Sequence, residues 1–339
     1  MNKEVASGTY TQAPQETQEN LTYEVSRRPN NSHKKLFAPL HTTFTTPSGS
    51  RVPPGWTNVW MTTDTKSPLQ AIGRDSKGRR VYLYSAEHMG MATAAKFSRL
   101  KIFSKAYPSL MNRVKKDIND SEEALVLYLI AKTGFRIGSN AETLADVKAI
   151  GASTLRCSHI SIDGNRIAFD FVGKKGIRVN KVLKDNFLAR HIAGRCSNVT
   201  DNQIFKTTDN KIRLYLNSIS SDFRFTVKDF RTYLGTLTAF RKIKAMPIPQ
   251  NIRELKKYKK EVGKTVASEL GNSPTIALNS YVAPEVFCVW EANSPLLEKK
   301  AAVNYASLKS EFFECVHYDL EVPMEESTDS DPGYRSDEG

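Results

Sequence analysis

The 339 residues carry 49 Lys and Arg against 36 Asp and Glu, a net charge of +13, with 40% apolar and 25% charged residues. That balance is normal for a soluble protein of one or two domains with full-sized cores. No apolar run reaches the roughly 18 residues of a membrane span, and the N-terminus has no apolar signal-peptide core, so neither a spanning helix nor secretion is expected.

The charge is unevenly spread. Residues 321–339 hold seven acids and one arginine, a net −6, which leaves +19 on residues 1–320. An excess of that size favours nucleic acid as partner over anionic lipid or a merely basic soluble protein. The four cysteines, Cys157, Cys196, Cys288 and Cys315, are far apart and form no C-x-x-C pair. They are expected to be reduced, buried thiols of a cytosolic-type compartment, with no metal spacing among them.

In chain order, residues 1–35 are polar and poor in apolar side chains, which predicts a disordered leader. The cluster Arg27, Arg28, His33, Lys34 and Lys35 reads as part of a solvated tail, against a targeting signal or a DNA-binding arm. Residues 36–88 form a predicted small β domain, with turns at Pro47–Gly49, Pro53–Gly55 and Asp75–Gly78. A strand over residues 79–84 would put Arg80, Tyr82 and Tyr84 on one face, suited to phosphates and base edges. An edge strand with ordinary exposed tyrosines is the equal alternative.

From residue 86 to about 134 the texture is helical, with a basic face before Pro108 and a second segment after it. Ser121, Glu122 and Glu123 cap an apolar run that predicts a buried helix ending at Gly134. Just beyond, Arg136 lies among apolar residues and glycines, where a guanidinium needs an anion: a local carboxylate or a phosphate. Alternation on both sides of Asp163-Gly164 signals a hairpin, and a second turn, Gly173 to Gly176, carries Lys174 and Lys175 at its tip ahead of a third strand. Those lysines are either solvated or reach into a site, and the turn lacks the spacing of a P-loop.

Thr226 is a plausible N-cap for a helix in which Lys228 and Arg231 share a face. Two cations there oppose the helix dipole, which an anion bound between them would relieve. Further on, Gly271 ends a Lys/Glu-rich helix, and Tyr281 follows ten residues later. Alone, Tyr281 reads as ordinary core. It has chemical meaning only if cations converge on it.

Five stretches now stand in order: Asp-Ser-Lys-Gly-Arg-Arg-Val-Tyr-Leu-Tyr (75–84), Gly-Phe-Arg-Ile-Gly (134–138), Phe-Val-Gly-Lys-Lys-Gly (171–176), Lys-Asp-Phe-Arg-Thr-Tyr (228–233), and Gly-Asn-Ser-Pro with Ser-Tyr (271–274, 280–281). Together they resemble the small, poxvirus-like type IB DNA topoisomerases, a kind also found in bacteria and giant viruses. The resemblance spans about residues 50–289. It implies an α+β fold: an N-terminal antiparallel β domain that binds DNA (36–88) and a larger, mainly helical catalytic domain (89–320) carrying a three-stranded hairpin sheet. An acidic, disordered tail (321–339) would follow.

The resemblance makes Tyr281 the nucleophile, Arg136 and Arg231 the grip on the scissile phosphate, Lys174 the general acid and Lys228 an auxiliary lysine. It places Arg80, Tyr82 and Tyr84 on DNA. Poxvirus members carry a histidine nine residues before the tyrosine; here that position is Asn272, which donates a hydrogen bond but carries no charge. The partner implied is duplex DNA, clamped by a monomer, with no cofactor, no metal, no ATP and no membrane. The location implied is cytoplasm or nucleoid in a bacterium, virion or viral factory in a virus.

The residue types suit the chemistry. A phenol of pKa near 10 needs a cationic pocket to ionise. Guanidinium forks and an amide donor stabilise the charge that develops on non-bridging oxygens, and an ammonium protonates the leaving 5′-oxygen. The nearest rival, a tyrosine recombinase, usually has His-x-x-Arg where this chain has Lys228-x-x-Arg231, and its N-terminal part is helical. A non-enzymatic DNA-binding protein leaves the joint presence of Arg136, Lys174, Arg231 and Tyr281 unexplained.

Overall fold

Alternating apolar and polar residues build the first of two units into which the chain divides, Met1–Arg99 and Leu100–Gly339. The computed structural model describes residues 22–24, 32–36, 45–140, 148–196, 203–220 and 224–293. In the first unit five antiparallel strands lie in sequence order: β1 (Thr22–Glu24), β2 (Ser32–Leu36), β3 (Thr57–Thr62), β4 (Leu69–Arg74) and β5 (Arg80–Tyr84). Met61, Ala71 and Leu83 pair in a row and join Val52, Val59 and Trp56 in one apolar cluster. Trp60, Ile72 and Tyr82 form the neighbouring row on the opposite face.

β1 and β2 correct the expectation that all of residues 1–35 are disordered. β1 pairs with β2 and β2 with β3 by main-chain ladders, which need no apolar side chains, so a polar composition concealed them. The rest of the leader, Arg27 and Arg28 included, and the acidic segment 321–339 lie outside the described residues.

The expected junction at residue 88 falls near the start of α1 (Ala86–Asp117), and the division between the units comes within that helix. α1 continues past Pro108 without a break. An interior proline costs about 3 kcal/mol. Five residues earlier, Phe103 is wholly buried and meets Phe225, Phe230 and Tyr233 edge-on, at about 0.5–1.5 kcal/mol per aromatic pair, a gain of the same order as that cost.

α2 (Glu122–Thr133) starts at Ser121, whose hydroxyl accepts from the Ala124 amide, and is buried nearly all round. Three antiparallel strands follow, β6 (Ile160–Asp163), β7 (Arg166–Val172) and β8 (Arg178–Lys184). Phe169 and Phe171 of β7 pack edge-on against Phe135, which fastens the sheet to the segment after α2. The remaining helices are α3 (Asn186–Cys196), α4 (Asp209–Ile219), α5 (Val227–Lys244), α6 (Ile252–Leu270), α7 (Pro274–Tyr281) and α8 (Cys288–Asn293). The architecture is α+β, as expected. No helix of the described residues is long and apolar enough to cross a membrane.

Cys157 and Cys196 are disulfide-bonded, which corrects the expectation of reduced thiols. Cys157 begins the short turn before β6 and Cys196 ends α3; packing of α3 on β7 brings their Cα atoms to 5.6 Å, within disulfide reach. A separation of 39 residues gave no hint of it. Cys288 is a half-buried thiol, and Cys315 lies outside the described residues.

Candidate active site

Two helix ends meet at one arginine. α2 stops at Gly134 and α6 at Gly271, each in the left-handed conformation that closes a helix. A Cβ at Gly134 would also stand 2.7 Å from the end of the Leu270 side chain and 2.9 Å from that of Leu234, both of which would have to shift. The carbonyls of Gly134 and Leu270 accept hydrogen bonds from Nη1 and Nη2 of Arg231, the latter at 3.1 Å. Arg231 is only 3% exposed, and neither partner is a carboxylate. Burial lowers its pKa to about 10, with the Tyr281 phenol opposing and Arg136 adding to the shift, so it remains cationic at neutral pH.

Beyond the same helix ends, Arg136 donates through Nη2 to the Oδ1 of Asn272. A guanidinium has no acceptor, so this contact orients the amide: oxygen toward Arg136, Nδ2 away as a donor. Asn272 Nδ2 and Arg231 Nε are both buried donors with no hydrogen-bond partner among the described residues. Of the two partners expected for Arg136, a local carboxylate is not found among the described residues, where its partner is the neutral amide of Asn272.

Tyr281 is the last residue of α7, whose first turn carries Pro274. Its carbonyl accepts from Thr236 Oγ1 at 3.2 Å, and the same hydroxyl accepts from the Ala283 amide. Gly235 lies directly beneath, where a Cβ would stand 2.8 Å from the Tyr281 carbonyl oxygen. The Arg231 guanidinium carbon is 4.9 Å and the Lys228 ammonium 5.7 Å from the ring centroid. Burial pushes the phenol up, but Arg231, Arg136 and Lys228 together outweigh it and hold it below its ordinary 10.

The like charges of Lys228 and Arg231 at the start of α5 have a local remedy that the sequence reading overlooked. Asp229, buried beside them, completes a capping box with Thr226 by accepting from its amide at 2.7 Å and its hydroxyl at 3.0 Å. The two cations also differ: Lys228 is exposed where Arg231 is buried.

A cleft of about 610 Å³ is lined by Tyr281, Arg136, Arg231, Lys228 and Lys174, the last from the turn between β7 and β8; Asn272 joins them through Arg136. The cleft is also lined by Arg213 and Asn217, one turn apart on α4, and by Arg224. These three were missed, because exposed polar residues on a helix and in a loop carry no distinctive pattern. Among the described residues, no group of three or more His, Cys, Asp or Glu is placed to hold a metal ion. Arg80, Tyr82 and Tyr84 lie on β5 of the other unit. Arg80 and Tyr82 are exposed, while Tyr84 is half-buried against Leu69 and Ile72 and stacks on His88.

The family model of the eukaryotic DNA topoisomerase I catalytic core matches residues 85–286, and that of the bacterial DNA topoisomerase IB N-terminal domain matches residues 51–75. DNA topoisomerase 1B of Acanthamoeba polyphaga mimivirus is 30% identical over 254 residues, covering 68% of this chain and 75% of the relative. DNA topoisomerase 1B of vaccinia virus is 26% identical over 232 residues, covering 63% and 70%. Human DNA topoisomerase 1 is 27% identical over 169 residues, covering 45% of this chain and 22% of the relative. The chain belongs to the type IB DNA topoisomerases, enzymes that act on DNA.

Proposed function

We propose that this enzyme relaxes supercoiled duplex DNA, without ATP or metal, through a transient 3′-phosphotyrosine at Tyr281. One observation carries the reading: three cations converge on a phenol held below its ordinary pKa, beside two buried donors that lack partners among the described residues. The Tyr281 phenol gives its proton to solvent, and its oxygen attacks the phosphorus. The bond from phosphorus to O5′ breaks, and Lys174 transfers a proton to O5′, becoming a neutral amine. Arg136, Arg231 through Nε and Asn272 through Nδ2 donate to the non-bridging oxygens, whose charge is greatest in the transition state. Lys228 adds positive potential at the ring.

The phosphotyrosine conserves the phosphodiester, so the free 5′-hydroxyl reseals the strand by the reverse route once superhelical tension has turned the duplex. Arg80, Tyr82 and Tyr84 would contact DNA from the N-terminal sheet, and a monomer closing round the duplex would suffice.

Purified protein is expected to relax plasmid in EDTA without ATP and to leave a denaturant-resistant protein–DNA adduct. Tyr281→Phe, which removes one oxygen and little packing, should abolish both. Relaxation by the Phe variant would overturn the mechanism, and exchange of strands between two specific sites would point to a recombinase.

A further inference from the structure

Arg231 is not the only cation that ties the two helix ends together. Lys181 stands on β8 in the inward phase of the strand, between Val179 and Leu183, with 14% of its side chain exposed. Its ammonium donates to the Thr133 carbonyl at 2.9 Å, the Glu269 carbonyl at 3.1 Å and the Glu269 carboxylate at 2.6 Å. Thr133 and Glu269 immediately precede Gly134 and Leu270, the residues whose carbonyls hold Arg231. Lys181 and Arg231 therefore each bridge α2 to α6, one residue apart on both helices.

This arrangement sets what Lys181 does. An ammonium has three donors, and all three are engaged within the protein, so none is left for a phosphate or a leaving group. Two helix C-termini brought side by side present partial negative charge to each other, which a cation between them relieves. Arg136 lies three residues past Thr133, and Asn272 three residues past Glu269. A small rotation at either helix end is thus carried to the Arg136–Asn272 contact and to Arg231.

We propose that Lys181 and Glu269 form a positioning pair that sets Arg136, Arg231 and Asn272 relative to Tyr281 without touching DNA. The inference rests on the mechanism proposed above and names the support beneath it. The pair bridges the hairpin sheet to both helix ends, so the strand that follows the Lys174 turn also registers the phosphate-binding residues.

The unsubstituted protein, Lys181→Met and Glu269→Gln are compared on one duplex. Four quantities are read: the single-turnover rate of adduct formation, the adduct amplitude, the duplex affinity, and the pH dependence of the rate. With Lys181→Met the rate is expected to fall about 100-fold, the cost of displacing reacting groups by about 1 Å, with duplex affinity unchanged. Its rising limb should move to higher pH, because Arg231 and Lys228 on α5 and Arg136 beyond α2 would no longer hold the phenol down as strongly. Glu269→Gln keeps an oxygen acceptor but loses the charge and should shift rate and limb the same way by less.

A purely structural role would lower the adduct amplitude while rate and pH limb stayed fixed. That result, or an affinity falling in step with the rate, overturns the proposal. If Lys181→Met does not fold, Glu269→Gln decides alone: an unmoved rate and limb overturn it. A wild-type protein that forms no adduct overturns the mechanism together with this inference, whereas a normal wild type beside unaffected variants overturns this inference alone.

Discussion

The cleft is built from two unlike regions. One is the buried knot where α2 and α6 end on α5, holding Arg231 by two carbonyls, Arg136 by an amide and the backbone of Tyr281 by Thr236. The other is the turn between β7 and β8, where Lys174 stands exposed and the chain reverses through positive φ at Lys175 and Gly176. Charge stabilisation requires donors whose positions are fixed before reaction, because their value lies in needing no reorganisation. A proton donor need only reach its oxygen. Stability and catalysis should therefore be inseparable in the knot and separable at the turn.

Arg231→Gln tests the first half and should have the largest effect. Loss of one such electrostatic donor typically costs about 10²–10³ in rate. The carbonyls of Gly134 and Leu270 lose their donors as well, at about 1–3 kcal/mol for each buried group left unsatisfied. Single-turnover cleavage and the thermal midpoint should fall together. A normal midpoint with slow cleavage would mean that the knot is held without Arg231.

Lys174→Ala tests the second half. Cleavage should fall by about 10²-fold, within the range of a lost general acid, while thermal unfolding is unchanged. A duplex whose 5′-linkage leaves without needing a proton should recover most of the rate. No recovery would move the proton-donor role away from Lys174. Lys228→Met gives the smallest change: because Lys228 helps to lower the Tyr281 pKa from an exposed position, its removal should raise that pKa and shift the rising limb of cleavage upward by less than about one pH unit. A shift downward would contradict the electrostatic account of the phenol.

Local rules made much of this legible beforehand. Ser121 as a cap, Asp163-Gly164 as a hairpin and Gly134 and Gly271 as helix stops each depend on a few neighbouring residues, and each lies where expected. What escaped was set by distant partners. The orientation of Asn272 is imposed by Arg136, 136 residues earlier, and the Cys157–Cys196 bond by α3 folding back on β7. Strands β1 and β2 draw on main-chain pairing that composition does not register. Lys181 left a trace that was readable in principle, a lysine in the same phase as Val179 and Leu183, but its meaning needed the ends of two helices.

The neutral partners of Arg136 and Arg231 have a consequence in terms of ionic strength. A carboxylate would have fixed each guanidinium and cancelled its charge in the same contact. Among the described residues, carbonyls and an amide oxygen fix both without an opposing charge, and both guanidinium groups line the cleft. Capture of DNA from solution is then a counterion-releasing event that weakens steeply as salt rises. In the proposed step at phosphorus the Tyr281 phenol and Arg231 are buried, and mobile ions screen their interaction far less. Salt should therefore govern how often this enzyme engages DNA much more than how fast it cuts once engaged.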